Sequence, residues 1–166
     1  KKALVEVNGD IEKAIEYLRE KGLSKAAKKA DRVAAEGAIA LKVDNDLTKV
    51  SMVEINSETD FVAKNDNFKE LCTKTLDIVS SSNINSIEDL NSVVVDGASF
   101  SDYLKSQIAK IGENIVVRRF INIKSNGNVI TNGYLHSNSK VGTIISLSFN
   151  NAESRAKLVE FSKNLC

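Results

Sequence analysis

Proline and tryptophan are absent from this chain of 166 residues, and histidine and methionine occur once each. Without proline, against an average usage of about 5%, chain reversals fall to Gly, Asn, Asp and Ser. The two cysteines, Cys72 and Cys166, have no partner at metal-ligand spacing. Cys72 falls on the apolar stripe of a helical pattern, and Cys166 ends the chain. A disulfide framework and a zinc site are thereby excluded, leaving free thiols in a reducing compartment. His136 is the single histidine, and no serine or cysteine has the sequence context of a nucleophile beside a base. Neither common glycine-rich phosphate loop is present. The chain therefore reads as a non-enzyme, with no metal and no cofactor implied.

Charge of one sign is also lacking. Lys and Arg number 23 against 22 Asp and Glu, a formal net charge of +1. Such a balance gives little support for direct nucleic-acid binding. No apolar run approaches the roughly 20 residues that span a bilayer, and no secretory pattern opens the chain. The expected setting is a reducing cytoplasm or an organelle matrix. The length suits one ordinary domain, or a small module with a medium core.

Residues 1–22 read as two short helices around the turn Asn8-Gly9-Asp10, with Gly22 as the stop. Ile11, Ala14, Ile15 and Leu18 share one face of the second helix. Residues 24–36 form a basic helix or linker with Val33, Ala34 and Ala35 at its core-facing end. The charges there read as a solvated face rather than a nucleic-acid contact. From Ala38, alternation at Ile39, Leu41 and Val43, then a second run over 50–57, predicts a hairpin. A helix from Asp66 to Val79 would bury Phe68, Leu71, Cys72, Leu76 and Val79. Residues 80–99 read as a variable connection. Ser99 and Asp102 open another helix, which Gly112 closes. Three strand-like runs follow at 115–124, 129–137 and 141–149. Asn126-Gly127 favours a hairpin between the first two. A last helix over 152–165 would bury Ala156, Leu158, Val159 and Phe161. The fold class is α+β with antiparallel sheet.

Within this frame Thr59-Asp60-Phe61-Val62-Ala63-Lys64-Asn65 sets a large aromatic at a strand-to-helix junction. A ring there can be core or can project as a wedge, and the local pattern fits either. The wording of the heptad resembles the signature of elongation factor Ts, the guanine-nucleotide exchange factor family for the GTPase elongation factor Tu. Lys1-Lys2-Ala3-Leu4, Asn8-Gly9-Asp10-Ile11-Glu12, Lys25-Ala26-Ala27-Lys28-Lys29-Ala30 and Val33-Ala34-Ala35-Glu36-Gly37 follow that family's order. Lys110-Ile111-Gly112-Glu113-Asn114-Ile115 with Val117-Arg118-Arg119 is similar to a second signature. Tyr134-Leu135-His136 followed by Val141-Gly142 is similar to a third. The matches run along nearly the whole chain and are weakest over 80–99.

The resemblance implies a partner, elongation factor Tu in its GDP-bound or nucleotide-free form, with no direct nucleic-acid or membrane partner. It implies that Phe61 inserts near the magnesium and nucleotide site of that GTPase, with Thr59, Asp60 and Val62 in the same contact. Ile111, Gly112, His136 and Lys1 match further contact positions. From the residues alone, Ile111-Gly112 also reads as a buried helix residue and its cap, and His136 as a strand-end surface histidine. Lys1 would fall inside the second helix of a small ubiquitin-associated-like module, so that module is expected to be incomplete and residues 1–22 the first to open. The expected organisation is a partial helical module and linker at 1–36 and an α+β core at 37–166. Internal duplication would divide that core near 112–125. The rival reading is a non-catalytic protein-interaction module with a ubiquitin-associated-like helical segment.

Overall fold

The computed structural model describes residues 1–165; Cys166 lies outside them. Strands β1 (Glu36–Val43) and β2 (Lys49–Ser57) form the expected hairpin, with Gly37 opposite Asn56 and Val43 opposite Val50. On its other edge β2 pairs antiparallel with β5 (Ile115–Lys124), and the register shifts between Glu54 and Ile55. Strand order β1-β2-β5 puts β2 at the centre of the sheet. Its sequence explains the place: Val50, Val53 and Ile55 are fully buried and fall on both faces, as a central strand requires.

One face of this sheet lies under α4 (Asp66–Ser81). Phe68, Leu71, Cys72, Leu76 and Val79 are all buried, as their spacing predicts, together with Val53, Ile55 and Val117, and the partly buried Ala38 and Ala40 pack against them. The other face meets β6 (Val129–Leu135) and β7 (Gly142–Ser148), a separate two-stranded sheet. Two glycines permit that approach. A Cβ on Gly133 would come within 2.9 Å of Leu41, and one on Gly142 within 2.6 Å of the Met52 sulfur.

Here the structure departs from the sequence expectation: β5 and β6 do not pair, so Asn126-Gly127 makes no hairpin. Gly127 has a positive φ of 66°, but Asn126 does not, whereas the favoured two-residue turn needs both. The β1–β2 turn takes the hydrogen bonds instead. Ser125 N–H donates to the Thr48 carbonyl and Thr131 N–H to that of Leu47, each at 2.7 Å. The second and third runs also end earlier than expected, at Leu135 and Ser148.

Residues 80–99 are an ordered connection. Helix α5 (Ile87–Ser92) opens with a full capping box between Ser86 and Asp89, and its Leu90 is completely buried. Asp96-Gly97, both at positive φ, close a hairpin between β3 (Val94–Val95) and β4 (Ala98–Ser99). Helix α6 (Phe100–Ile111) then starts and stops as expected. The Ser99 side chain accepts from Asp102 N–H, and Gly112 adopts φ 96° at the C-terminus.

At the other end, α1 (Lys2–Glu6) and α2 (Ile11–Ala27) are joined at Asp10, whose side chain caps α2. Gly22 does not stop α2, which continues to Ala27. Gly22 instead faces α6, where a Cβ would make only ordinary contact with Ala109 at 3.8 Å. Ala26 is buried beyond it, and Arg19 reaches Asp102 at 3.3 Å. Val33 is 81% exposed rather than core-facing, because the helix has already ended and the linker turns there. Ile11, Ile15 and Leu18 stay exposed in the described residues.

The last helix, α7 (Ala152–Leu165), contacts β6. With so narrow a support, Leu158 and Val159 are half-buried, while Ala156 and Phe161 are exposed, contrary to expectation. The residue buried in their stead is Ser162, whose hydroxyl accepts from the Asn132 side chain at 3.1 Å. Among the described residues no helix is long and apolar enough to cross a membrane.

Two predictions follow from this packing. Amide hydrogen exchange should be graded within α2, fast over 11–18 and slower over 22–27, where the helix rests on α6. Protection over 11–18 equal to that of β2 would contradict the absence of a partner on that face. Burial also pushes the Cys72 thiol up to about 12. At pH 8 an ordinary thiol is roughly one quarter ionised, whereas Cys72 would be ionised to about one part in ten thousand. In a Cys166→Ser chain, labelling of Cys72 should therefore be on the order of a thousandfold slower when folded than in denaturant. Comparable rates would show that α4 does not seal it.

Candidate functional site

After β2 the chain turns at Glu58 and enters a four-residue helix, α3 (Asp60–Ala63). Thr59 supplies the cap: its backbone is extended and its hydroxyl accepts from Val62 N–H at 3.3 Å. Successive helical residues point about 100° apart. Val62 and Ala63 pack against the core, and the ring of Phe61 is turned outward, 81% exposed. Asn65 immediately caps α4, so Phe61 stands on a short step between two elements fixed in the core. Beside it Lys64 donates to Asp60 at 2.7 Å. That hydrogen bond holds the Asp60 carboxyl below the usual carboxylate range and raises the Lys64 amine. Both groups are open to water, so the pair adds little to stability.

The step is braced from α6. The Glu113 side chain accepts from Thr59 twice, from the backbone N–H at 3.0 Å and from the hydroxyl at 2.7 Å. In the opposite direction Glu58 accepts from Asn114 N–H at 2.6 Å. Asn114 is itself buried, and its side-chain amide donates to the carbonyls of Ala30, at 3.3 Å, and Arg32, at 2.7 Å. Arg32 returns to Glu58 at 3.6 Å. The heptad, the Ile111-Gly112 corner and the linker behind α2 thus meet in one polar cluster. Gly112 is exposed at the corner, while Ile111 is partly buried against the core.

His136 lies at the end of β6, exposed, with Nδ1 2.9 Å from the Tyr134 hydroxyl. The turn after it is tied to β1: Ile39 N–H donates to the Ser139 carbonyl at 2.7 Å, and Lys140 meets Glu36 at 2.5 Å. Between this turn and α3 runs a crevice of about 650 Å³, bordered by Asp60, Lys64, Ser137 and Lys140. The structure thus brings Thr59, Asp60, Phe61 and Val62 together with Ile111 and Gly112, and sets the His136 turn across the crevice. Lys1 stands apart, exposed at the start of α1, which packs on α2. Sequence reasoning missed Glu58, Asn114, Arg32 and the role of Glu113. The available signal was a carboxylate flanking each motif, Glu58 before Thr59 and Glu113 after Gly112.

The arrangement is thus an exposed aromatic on a braced step, beside a wide crevice. The family model described as elongation factor TS matches residues 58–166. The elongation factor Ts of Wolinella succinogenes is 58% identical over 166 residues, covering 100% of this chain and 47% of that protein. That of Helicobacter hepaticus is 55% identical over 166 residues, with the same two coverages. That of Helicobacter pylori strain J99 is 56% identical over 165 residues, covering 99% and 46%. The chain spans about half the length of the curated relatives it matches. It belongs to the elongation factor Ts family, a family of translation elongation factors.

Proposed function

We propose that this chain acts as a guanine-nucleotide exchange factor that binds the GDP form of elongation factor Tu and promotes GDP release. The observation that carries the reading is Phe61, an exposed ring on a rigid step within the heptad that resembles the family's signature. In the proposed contact Phe61 enters near the magnesium and nucleotide of the GTPase. Thr59, Asp60 and Val62 surround the entry, and Ile111, Gly112, His136 and Lys1 add further contacts. Residues 1–36 would serve as helical module and linker, and 37–166 as the core. The bacterial cytoplasm is the proposed setting, since the relatives reported above are bacterial.

Exchange needs no covalent step and no proton transfer. A GTPase holds its nucleotide through magnesium and the backbone groups that cradle the phosphates. A partner that displaces those groups lowers nucleotide affinity, and linkage requires bound nucleotide to weaken the partner by the same factor. The exposed Ile11, Ile15 and Leu18 favour a second reading, a helical interaction module for some other protein. Mixing the chain with GTPase loaded with fluorescent GDP separates the two, because the second reading gives no acceleration of GDP release.

Phe61→Ala tests the wedge. A core phenylalanine lost to alanine costs about 3–5 kcal/mol, whereas an exposed one should change stability by roughly 0.5 kcal/mol or less. Urea unfolding should be nearly unchanged and GDP release should fall well beyond any loss of folded protein. Unchanged release by the folded variant would sink the wedge. His136→Ala should likewise keep its melting temperature, because the ring is exposed, while binding the GTPase more weakly. A large fall in melting temperature with normal exchange would make His136 a structural residue.

A further inference from the structure

We infer that Glu58, Glu113 and Asn114 form a reciprocal clamp whose task is to position Phe61, a role that rests on the exchange reading above. Two chain segments, 58–59 and 113–114, exchange backbone hydrogen bonds through side chains. Thr59 N–H goes to Glu113, and Asn114 N–H goes to Glu58, at 3.0 and 2.6 Å. Neither segment is paired with the other as strand, since the β2–β5 ladder ends at Ser57 opposite Ile115. The clamp therefore takes over where the sheet stops, directly before the helix that carries the ring. Without it, the donors of Thr59 and Asn114 would have no protein partner at a partly buried site.

Its reach is wider than the step itself. Through the Thr59 hydroxyl, Glu113 also holds the group that caps α3, so the cap is oriented from a residue 54 positions away. Through Asn114 the same cluster holds the carbonyls of Ala30 and Arg32, where the linker leaves α2. One cluster thus fixes three surfaces relative to each other: the ring, the Gly112 corner and the helical pair. Glu58, Glu113 and Asn114 are buried or half-buried and keep their polar atoms turned to these partners, which suits support rather than direct contact. They are positioning residues.

Glu113→Ala removes both bonds to Thr59 and leaves Phe61 in place. Catalysed GDP release at saturating concentrations of the variant should fall about tenfold, and the amides of Thr59 and Val62 should exchange faster. A chain that was merely less stable would instead reach the normal saturating rate at a higher total concentration. Glu113→Gln keeps an acceptor for the Thr59 N–H and should recover much of the rate. Glu113→Asp, with a shorter reach, should fall between and serves if the alanine variant does not fold. In a Phe61→Ala background, Glu113→Ala should have a much smaller effect on release than in the unmodified chain, since the ring it chiefly positions is gone. Full additivity of the two substitutions, or normal protection at Thr59 and Val62 in Glu113→Ala, would overturn the clamp. If the unmodified chain fails to accelerate GDP release, the exchange reading falls, while the amide measurement still decides whether Glu113 holds α3.

Discussion

Val53 and Ile55 press against α4 while Val50 is buried on the opposite face of the same strand, and none of the three has any exposed surface. Burying each contributes roughly 1.5–3 kcal/mol. A strand held this way cannot slip, because a shift of one residue would exchange its two faces. Ser57, fully buried at its end, donates its hydroxyl to the Thr59 carbonyl at 3.0 Å. The place where β2 stops is thus as fixed as the core itself. Everything at the candidate contact surface is measured from that point: the Thr59 cap, the short helix, and the outward ring of Phe61.

Local patterns were readable where one element decides its own burial. The stripe from Phe68 to Val79 needed only helical spacing, and Ser99 and Gly112 marked the ends of α6 by their own chemistry. The failures share a cause, which is that the deciding partner is remote. Gly22 reads as a stop until Ala109 is placed beside it. Asn126-Gly127 reads as a hairpin until Leu47 and Thr48 take the hydrogen bonds on either side. Phe161 reads as core until α7 proves to rest on little besides β6. The heptad was legible by its wording, and the resemblance implied an outward Phe61, as the structure has it, but the local pattern alone could not decide the direction. That depended on Val62 and Ala63 finding the core first.

Two kinds of polar contact flank the ring, and magnitudes separate them. The Asp60–Lys64 pair is short at 2.7 Å, yet both side chains are largely solvated. An exposed pair at this helical spacing adds little to stability and weakens with salt. The bonds from Thr59 to Glu113 are partly shielded and satisfy a backbone donor, where a hydrogen bond to a carboxylate contributes roughly 1.5–3 kcal/mol. The geometry of the step is therefore set more by Glu113 than by the Asp60–Lys64 pair.

Stiffness of this kind has a direct bearing on exchange. A group that must enter another protein's nucleotide site loses conformational freedom on docking, and a loose loop would give up about 1–2 kcal/mol for every residue ordered. The step carrying Phe61 is already ordered by a cap, a clamp and two flanking elements. On the proposed reading, the free energy of contact is then available to displace the groups around the nucleotide rather than to order the wedge. The chain forgoes the burial of one phenylalanine to hold the ring in water. That loss is tolerable because α4 and β2 bury so much else, and on the proposed reading it is recovered when a partner covers the ring. On that reading an exposed aromatic is costly on a loose loop and useful on a braced one, and the clamp would make the difference.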